Sequence, residues 1–447
     1  MSNNDPKAPK KLSTEAYKGV RDFFPVDMAI EKHIFGIWRT VSEKYGYEEY
    51  GASVLEPADL YRAKSGEEIV NEQTYTFTDR GDREVTLRPE MTPTLARMVA
   101  ARKRELVFPL RWYSIPNLFR YEQPQRGRVR EHWQLNVDLF GVTSTTAEIE
   151  VINMAYDITR AYGLKDTDFE IRINNRKVMN YITREVFGLD EESARKISKL
   201  IDKKDKIKPE VFKVGISEIL NNENKSAQFF TLLNSQNFEE FASHLTKSAK
   251  LSASEHEGIA EIRTVIAGLE NLGITNTRFD QTLMRGFDYY TGVVFEVFDL
   301  NPLNRRAVFG GGRYDELLAL FGNEKVPAFG FGTGDVIARD LMETYNTLPQ
   351  IGSPEFPASA DIAICIFGEE NTPFALDLAQ KLREKGLDGS PLRVTVDFSN
   401  KKIGDQIKNA DKRHIPKVIV IGDEEVKTGK LRVKNLASGE EVEISAN

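Results

Sequence analysis

Cysteine is almost absent. The single one among 447 residues, Cys365, excludes an intramolecular disulfide framework and any multi-cysteine zinc site. The five histidines, His33, His132, His244, His256 and His414, contain no pair at metal-ligand spacing. No uninterrupted apolar stretch approaches the roughly 18 residues that a membrane helix needs. The opening stretch MSNNDPKAPKKLSTE lacks the apolar centre of a secretory signal and reads as a solvated tail. Repeats of solenoid period are missing, as are a Walker loop and a dinucleotide fingerprint. Positive charge is also short. Lys and Arg number 61 against 68 Asp and Glu, a formal charge of −7, which excludes a chain that coats nucleic acid but permits a local basic patch. Hydrophobic residues make up 40%, enough for sizeable cores, so a disordered chain is excluded. At about 150 residues per domain the length suggests roughly three. The expectation is a soluble, cytoplasmic, multidomain protein with no membrane association.

Pro, Gly and Ser cluster in NTLPQIGSPEFPAS (346–359), and periodicity disappears there, so residues 346–357 are read as a linker. Beyond it, 358–447 alternate compactly. DIAICIF is a strand, and a helix follows with Phe374, Leu378 and Leu382 on one face and Pro373 in its first turn. LRVTVDF is a second strand, Ile403, Ile407 and Ala410 align on a second helix, and KVIVIG, KLRVKNL and EEVEIS close as strands. That order describes a small α/β domain. The part before the linker, 16–345, has a different grammar. An amphipathic helix over 27–43 (Ile30, Ile34, Ile37, Val41) follows Pro25 and a capping Asp27. TYTFTD and EVTLRP then flank RGDR, and a longer pair of strands brackets QPQRGR at 123–128. Hairpins rather than crossovers imply an antiparallel sheet. Between 175 and 270 the chain turns helical and charged, with Ile259, Ile262, Ile266 and Leu269 the clearest stripe, and is read as a helical insertion.

Three segments carry the chemistry. In LFRYEQPQRGRVREHWQLNVDLFG (118–141), Trp133, Leu135, Val137 and Leu139 alternate with His132, Gln134, Asn136 and Asp138. Period two puts the first set in a core and the second on one open face. A wet surface would suffice to explain such a face, except that the partner strand adds Arg120 and Glu122 at the same alternation. From Arg102 to Glu131 eight Lys and Arg oppose three Glu, a local +5 that suits a triphosphate and an RNA end. In TLRPEMTPT (86–94), Thr92 before Pro93 marks a helix start, and for Thr92 alone capping is the plainer reading. Pro89 fixes the approach of Glu90, which capping does not explain. The third segment joins LMRGFDYYTGVVFEVF (283–298) to GGGRYDELL (310–318), where glycines stand beside arginine and tyrosine at strand ends. Any one of Tyr289, Tyr290 and Tyr314, taken singly, reads as a core aromatic.

Together these segments resemble the histidyl-tRNA synthetase family of class II synthetases over nearly the whole chain. RYEQPQRGRVREHWQ is similar to class II motif 2, LMRGFDYYTG and GGGRYDELL to the two histidine-specific motifs, FGFGTGDVIARDLM (329–342) to motif 3, and KGVRDFFP (18–25) to the N-terminal signature. The resemblance implies an α+β catalytic core with an antiparallel sheet, a helical insertion and a C-terminal α/β anticodon-binding domain. It implies ATP with Mg2+, L-histidine and tRNA-His as partners, and a homodimer. It also implies residue roles. Arg120 and Arg285 would be the catalytic cations. Glu90, Met91, Thr92, Gln134, Asp138, Arg285, Tyr289, Tyr290 and Tyr314 would hold histidine. Arg120, Glu122, His132 and Arg313 would bind ATP, and Gln125, Arg126 and Arg128 would meet the tRNA acceptor end.

Four positions depart from the family pattern. Ile337 stands where motif 3 commonly has an arginine that clamps ATP, and Arg339 lies about 200° further round a helix. His132 replaces an adenine-stacking phenylalanine, Asp138 a glutamate, and Ser53 a proline of motif 1. The competing reading is a histidine-binding regulatory subunit like that of ATP phosphoribosyltransferase. It does not account for the α/β domain after residue 358 or the intact RGFDYYTG. A prolyl or threonyl class II synthetase does not account for the two tyrosines after Arg285.

Overall fold

The computed structural model describes residues 12–62, 73–125, 127–204, 207–249, 256–284, 289–304, 306–322, 325–350, 353 and 356–445. They fall into two compact units, one of Met1–Phe23 with Ile34–Thr347, the other of Phe24–His33 with Leu348–Asn447. The division runs through helix α1 (Pro25–Lys44), which begins at Pro25, so Asp27 lies within the first turn instead of capping it. Proline is at home there because a first-turn N–H has no partner inside the helix.

The first unit is built on a large sheet. Its six central strands are β1 (Leu110–Ser114), β2 (Glu131–Phe140), β3 (Phe169–Asn175), β4 (Val293–Asp299), β5 (Ala307–Arg313) and β6 (Ala328–Gly334), in the order β1-β2-β6-β5-β4-β3. Every pairing among these six is antiparallel, as the hairpins in the sequence imply. Glu48–Glu49 and Thr277–Phe279 extend the two edges in parallel, which the hairpin argument does not provide. Asn117–Phe119 pairs with the start of β2 across the turn at 123–128. On β2 the expected alternation sends Leu135, Val137 and Leu139 into the core, where each is at most 1% exposed, whereas Trp133 near the strand's start is only partly buried. Each contributes about 1.5–3 kcal/mol by leaving water. A separate three-stranded antiparallel sheet joins Leu55–Pro57, Glu84–Leu87 and Tyr75–Thr78.

Helices occupy the chain between β3 and Thr277–Phe279. Their own core gathers Ile197, Ile216, Phe229 and Phe241 with Ile259 and Ile262. The last of them, Glu257–Asn271, has a second allegiance, because an added Cβ at its Gly268 would come within 2.3 Å of Ile149 on helix α2 (Thr146–Ala161). The stripe most typical of an insertion thus also packs against the helix that covers the sheet.

The second unit carries β7 (Ile362–Ile366), β8 (Val394–Val396), β9 (Lys417–Ile421), β10 (Lys430–Asn435) and β11 (Glu441–Ser445) in the order β8-β7-β9-β10-β11. The first three are parallel, with helices Thr372–Lys385 and Ile403–Lys412 as crossovers, and the last two add antiparallel. A further helix, Asp423–Thr428, escapes the sequence reading because six residues are too few to display a 3.6-residue period.

Strand parity also decides the fate of Arg313. It extends from β5 on the face opposite Gly312 and Tyr314, where Nε and Nη2 reach the two oxygens of Glu148 at 2.5 Å each. Nη1 and Nη2 donate to the carbonyls of Val142 and Ser144 at 3.0 and 3.2 Å. Arg313 is 4% exposed and Glu148 1%. Breaking such a pair strands a buried charge, so Arg313→Ala is expected to lower unfolding free energy by about 3–5 kcal/mol in urea denaturation. A loss under about 1 kcal/mol, typical of an exposed pair, would refute that structural role.

Candidate active site

One face of β2 forms the floor of a cleft. Gln134, Asn136 and Asp138 stand on it in period-two register. The neighbouring strands make room for them. Gly330 on β6 pairs with Asp138, and Gly312 on β5 pairs with Gly330, so one row across the sheet reads Gly-Gly-Asp. The next row reads Gly310, Gly332, Asn136. An added Cβ at Gly330 would sit 2.3 Å from Asp138 Oδ1, one at Gly332 2.4 Å from Gln134 Nε2, and one at Gly312 2.8 Å from the Tyr290 ring. These glycines therefore make room for the neighbouring side chains.

The walls come from three other segments. Glu90 and Thr92 enter where helix Thr92–Arg102 begins. Met91 is the N-cap residue and no side-chain cap bond is made, so Thr92 does not serve as a cap and its side chain lines the cleft. Met91 itself is wholly buried beneath the site. Tyr289, Tyr290 and Tyr314 form the far wall, with ring centroids 5.0 Å apart for the first two and 5.8 Å for Tyr289 and Tyr314. Tyr289 Oη donates to Glu90 Oε2 at 3.3 Å. Arg120, just past Asn117–Phe119, lines the mouth and anchors Nε on the Pro89 carbonyl at 2.8 Å.

Asp138 is the electrostatic centre. It is 3% exposed, accepts a hydrogen bond from the Tyr314 hydroxyl at Oδ1, and has no hydrogen-bond partner at Oδ2 among the described residues. Burial pushes its carboxyl up to about 7, against a smaller opposing pull from Tyr314. Tyr314 is in turn held well above the ordinary phenol range by burial and by that carboxylate. His132 belongs to the same face of β2, and burial together with Arg120 and Arg21 pushes its imidazole down to about 3. It is neutral at physiological pH.

Eight expected residues therefore meet in one cleft: Glu90, Thr92, Arg120, Gln134, Asp138, Tyr289, Tyr290 and Tyr314. Asn136, Gly310, Gly330, Phe331 and Gly332 also line it without having been assigned. The period-two face already contained Asn136. Arg313 is not brought to the cleft, which corrects its expected ATP contact. Glu122 turns to Arg128, 3.4 Å away, and Gln125 bridges to Arg128 across the hairpin turn. Arg126 and Arg285 lie outside the described residues. Ile337 occupies helix α3 (Asp335–Thr344), where Arg339 Nε pairs with Glu343 at 2.8 Å. Among the described residues no group of three His, Cys, Asp or Glu could hold a metal ion.

Comparison with known proteins places this geometry. The histidyl-tRNA synthetase model matches residues 19–334, and the anticodon binding domain model matches 361–447. The histidine–tRNA ligase of Leptospira biflexa is 39% identical over 430 residues, covering 96% of this chain and 94% of that protein. That of Thermoplasma volcanium is 35% identical over 430 residues, 96% of each chain. Among solved structures, histidyl-tRNA synthetase from Nostoc sp. PCC 7120 superposes with a TM-score of 0.79 at 25% identity over 98% of both chains.

The raised Asp138 carboxyl has a signed consequence. Between about pH 4 and 7 the folded protein keeps a proton that the unfolded chain has released, so this group's contribution to stability falls as pH rises and levels off above 7. Asp138→Asn, which can still accept from Tyr314, should gain on wild type across that window and run parallel beyond it. Urea midpoints of both proteins from pH 4.5 to 8.5 test this, and a constant gap would contradict it.

Proposed function

The chain belongs to the histidyl-tRNA synthetase family, and on that premise we propose that the cleft of β2 is where histidine and ATP react. The protein is a class II aminoacyl-tRNA synthetase, a histidine–tRNA ligase that uses ATP. Histidine and ATP yield histidyl-adenylate and pyrophosphate, and the histidyl group then passes to the terminal ribose of tRNA-His. The regulatory-subunit alternative is not favoured, since the chain carries the anticodon-binding module as well as the catalytic one.

The convergence of Glu90, Arg120, Gln134, Asp138 and three tyrosines on one enclosed cleft carries the assignment of roles. Histidine's ammonium group needs acceptors, and Glu90, the Thr92 hydroxyl and the Gln134 carbonyl supply them. Its neutral imidazole offers one donor and one acceptor. The donor meets Asp138 Oδ2 and the acceptor meets the Tyr290 hydroxyl, while Tyr289 and Tyr314 close the pocket. A site that bonds both ring nitrogens rejects apolar isosteres by roughly 10⁴-fold or more. In the first step the histidine carboxylate attacks the α-phosphorus and pyrophosphate leaves in line. Arg120, permanently charged and forked, takes the negative charge that builds on the phosphoryl oxygens. Arg285 is assigned as the second cation by sequence resemblance. His132 offers a neutral ring for the adenine. Glu122 belongs with the nucleotide by the same resemblance, and Gln125, Arg126 and Arg128 with the tRNA acceptor end.

Magnesium, which the family resemblance implies, would supply charge neutralisation at the nucleotide phosphates. A homodimer and a cytoplasmic setting complete the proposal. Leu55 and Phe77 on the small antiparallel sheet, 46% and 47% exposed, support a partner surface. No helix among the described residues is long and apolar enough to cross a membrane.

Pyrophosphate exchange measured with each of the twenty amino acids should respond to histidine alone. Exchange with proline or threonine in its place would overturn the reading. Arg120→Ala should lower the exchange rate by about 10²–10³-fold, the usual loss for one transition-state donor.

A further inference from the structure

The N-terminal signature KGVRDFFP brings a cation, Arg21, to the end of β2 that carries His132. The chain before α1 lies along the hairpin that precedes β2. Arg130 N–H donates to the Gly19 carbonyl at 2.6 Å, and Arg130 Nη1 donates to the Lys18 carbonyl at 3.2 Å and to Tyr17 Oη at 3.1 Å. Gly19 has φ +90°, and a Cβ there would lie 2.8 Å from the Arg130 side chain and 2.9 Å from Pro124. The strap therefore needs glycine for both conformation and space. Two residues on, it delivers Arg21. The Arg21 guanidinium donates from Nη2 to Asp335 Oδ2 at 2.5 Å, while Asp335 Oδ1 accepts the Trp133 backbone N–H at 3.0 Å. One carboxylate thus ties the guanidinium to the backbone directly after His132. Asp335 is fully buried, whereas the Arg21 side chain keeps 24% of its surface in contact with solvent. Phe23 stacks edge-on against Trp133 at 5.3 Å, and the guanidinium lies 4.9 Å above the Phe23 ring. Burial, Arg120 and Arg21 together keep the His132 imidazole uncharged.

The geometry points to Arg21 as a nucleotide-binding residue, positioned by Asp335 beside the His132 end of β2. This role rests on the ligase reading of the site. On helix α3 the motif 3 position holds the uncharged Ile337. An arginine suits such a position because its planar fork stays charged at all working pH values. Its rigid fork of donors matches carboxylate and phosphate geometry alike. The strap then contributes to ATP affinity, not merely to the covering of the hairpin.

Separate calorimetric titrations of ATP and of histidine into the full-length protein test this. Arg21→Gln keeps a donor for Asp335 and removes the charge. It should weaken ATP by about tenfold or more, the value of a hydrogen bond to a charged group, with histidine affinity unchanged. Arg21→Lys should fall between that variant and wild type, and thermal midpoints will separate binding loss from unfolding. ATP affinity equal to wild type, or matching losses for the two ligands, overturns the assignment. A wild-type protein that binds both ligands yet gives no histidine-dependent exchange would defeat the ligase reading, while the ATP titrations would still decide the role of Arg21.

Discussion

One strand has to serve two environments at once. Glu131–Phe140 places Leu135, Val137 and Leu139 in a dry core and Gln134, Asn136 and Asp138 on the face that floors the cleft, and a slip of one residue would exchange the two sets. Its register is fixed on both sides, by Leu110–Ser114 and by Ala328–Gly334. The other parts of the cleft are arranged around that fixed row. Tyr314 donates to Asp138, Tyr289 to Glu90, and Arg120 rests on the carbonyl of Pro89. The chemistry of the site thus depends on a pairing register held by backbone hydrogen bonds and apolar packing.

Much of this arrangement was legible in the amino-acid sequence because it obeys short periods. The alternation at 131–140, the hairpin around RGDR and the helices after Pro93 and Pro373 each leave a local signature. Resemblance to a known family added which faces belong together, something no local period states. It also added one assignment that local parity opposes. Arg313 adjoins Tyr314 in sequence, but neighbouring strand residues point to opposite faces, and Glu148 lies 165 positions away on helix α2. Nothing near Arg313 in the sequence announces that partner.

Other features were illegible for different reasons. The edge strands Glu48–Glu49 and Thr277–Phe279 are too short to carry a pattern, and their parallel pairing is settled only when the sheet is complete. Asp335 looks like an ordinary first-turn acid at a helix start. Its burial and its bonds to Arg21 and Trp133 arise from three segments that are remote along the chain. The glycine run at 310–312 was conspicuous, yet the room that Gly312, Gly330 and Gly332 make for side chains becomes visible only with the strands paired.

Those glycines impose a direction on change. At Gly330 and Gly332 the bore is already at its widest, since hydrogen is the smallest possible substituent and the space in front of each is taken by Asp138 or Gln134. Substitution at either can only crowd the floor. A redesigned substrate preference would have to begin with the larger residues of the opposite wall, where trimming a tyrosine ring frees volume without disturbing the sheet.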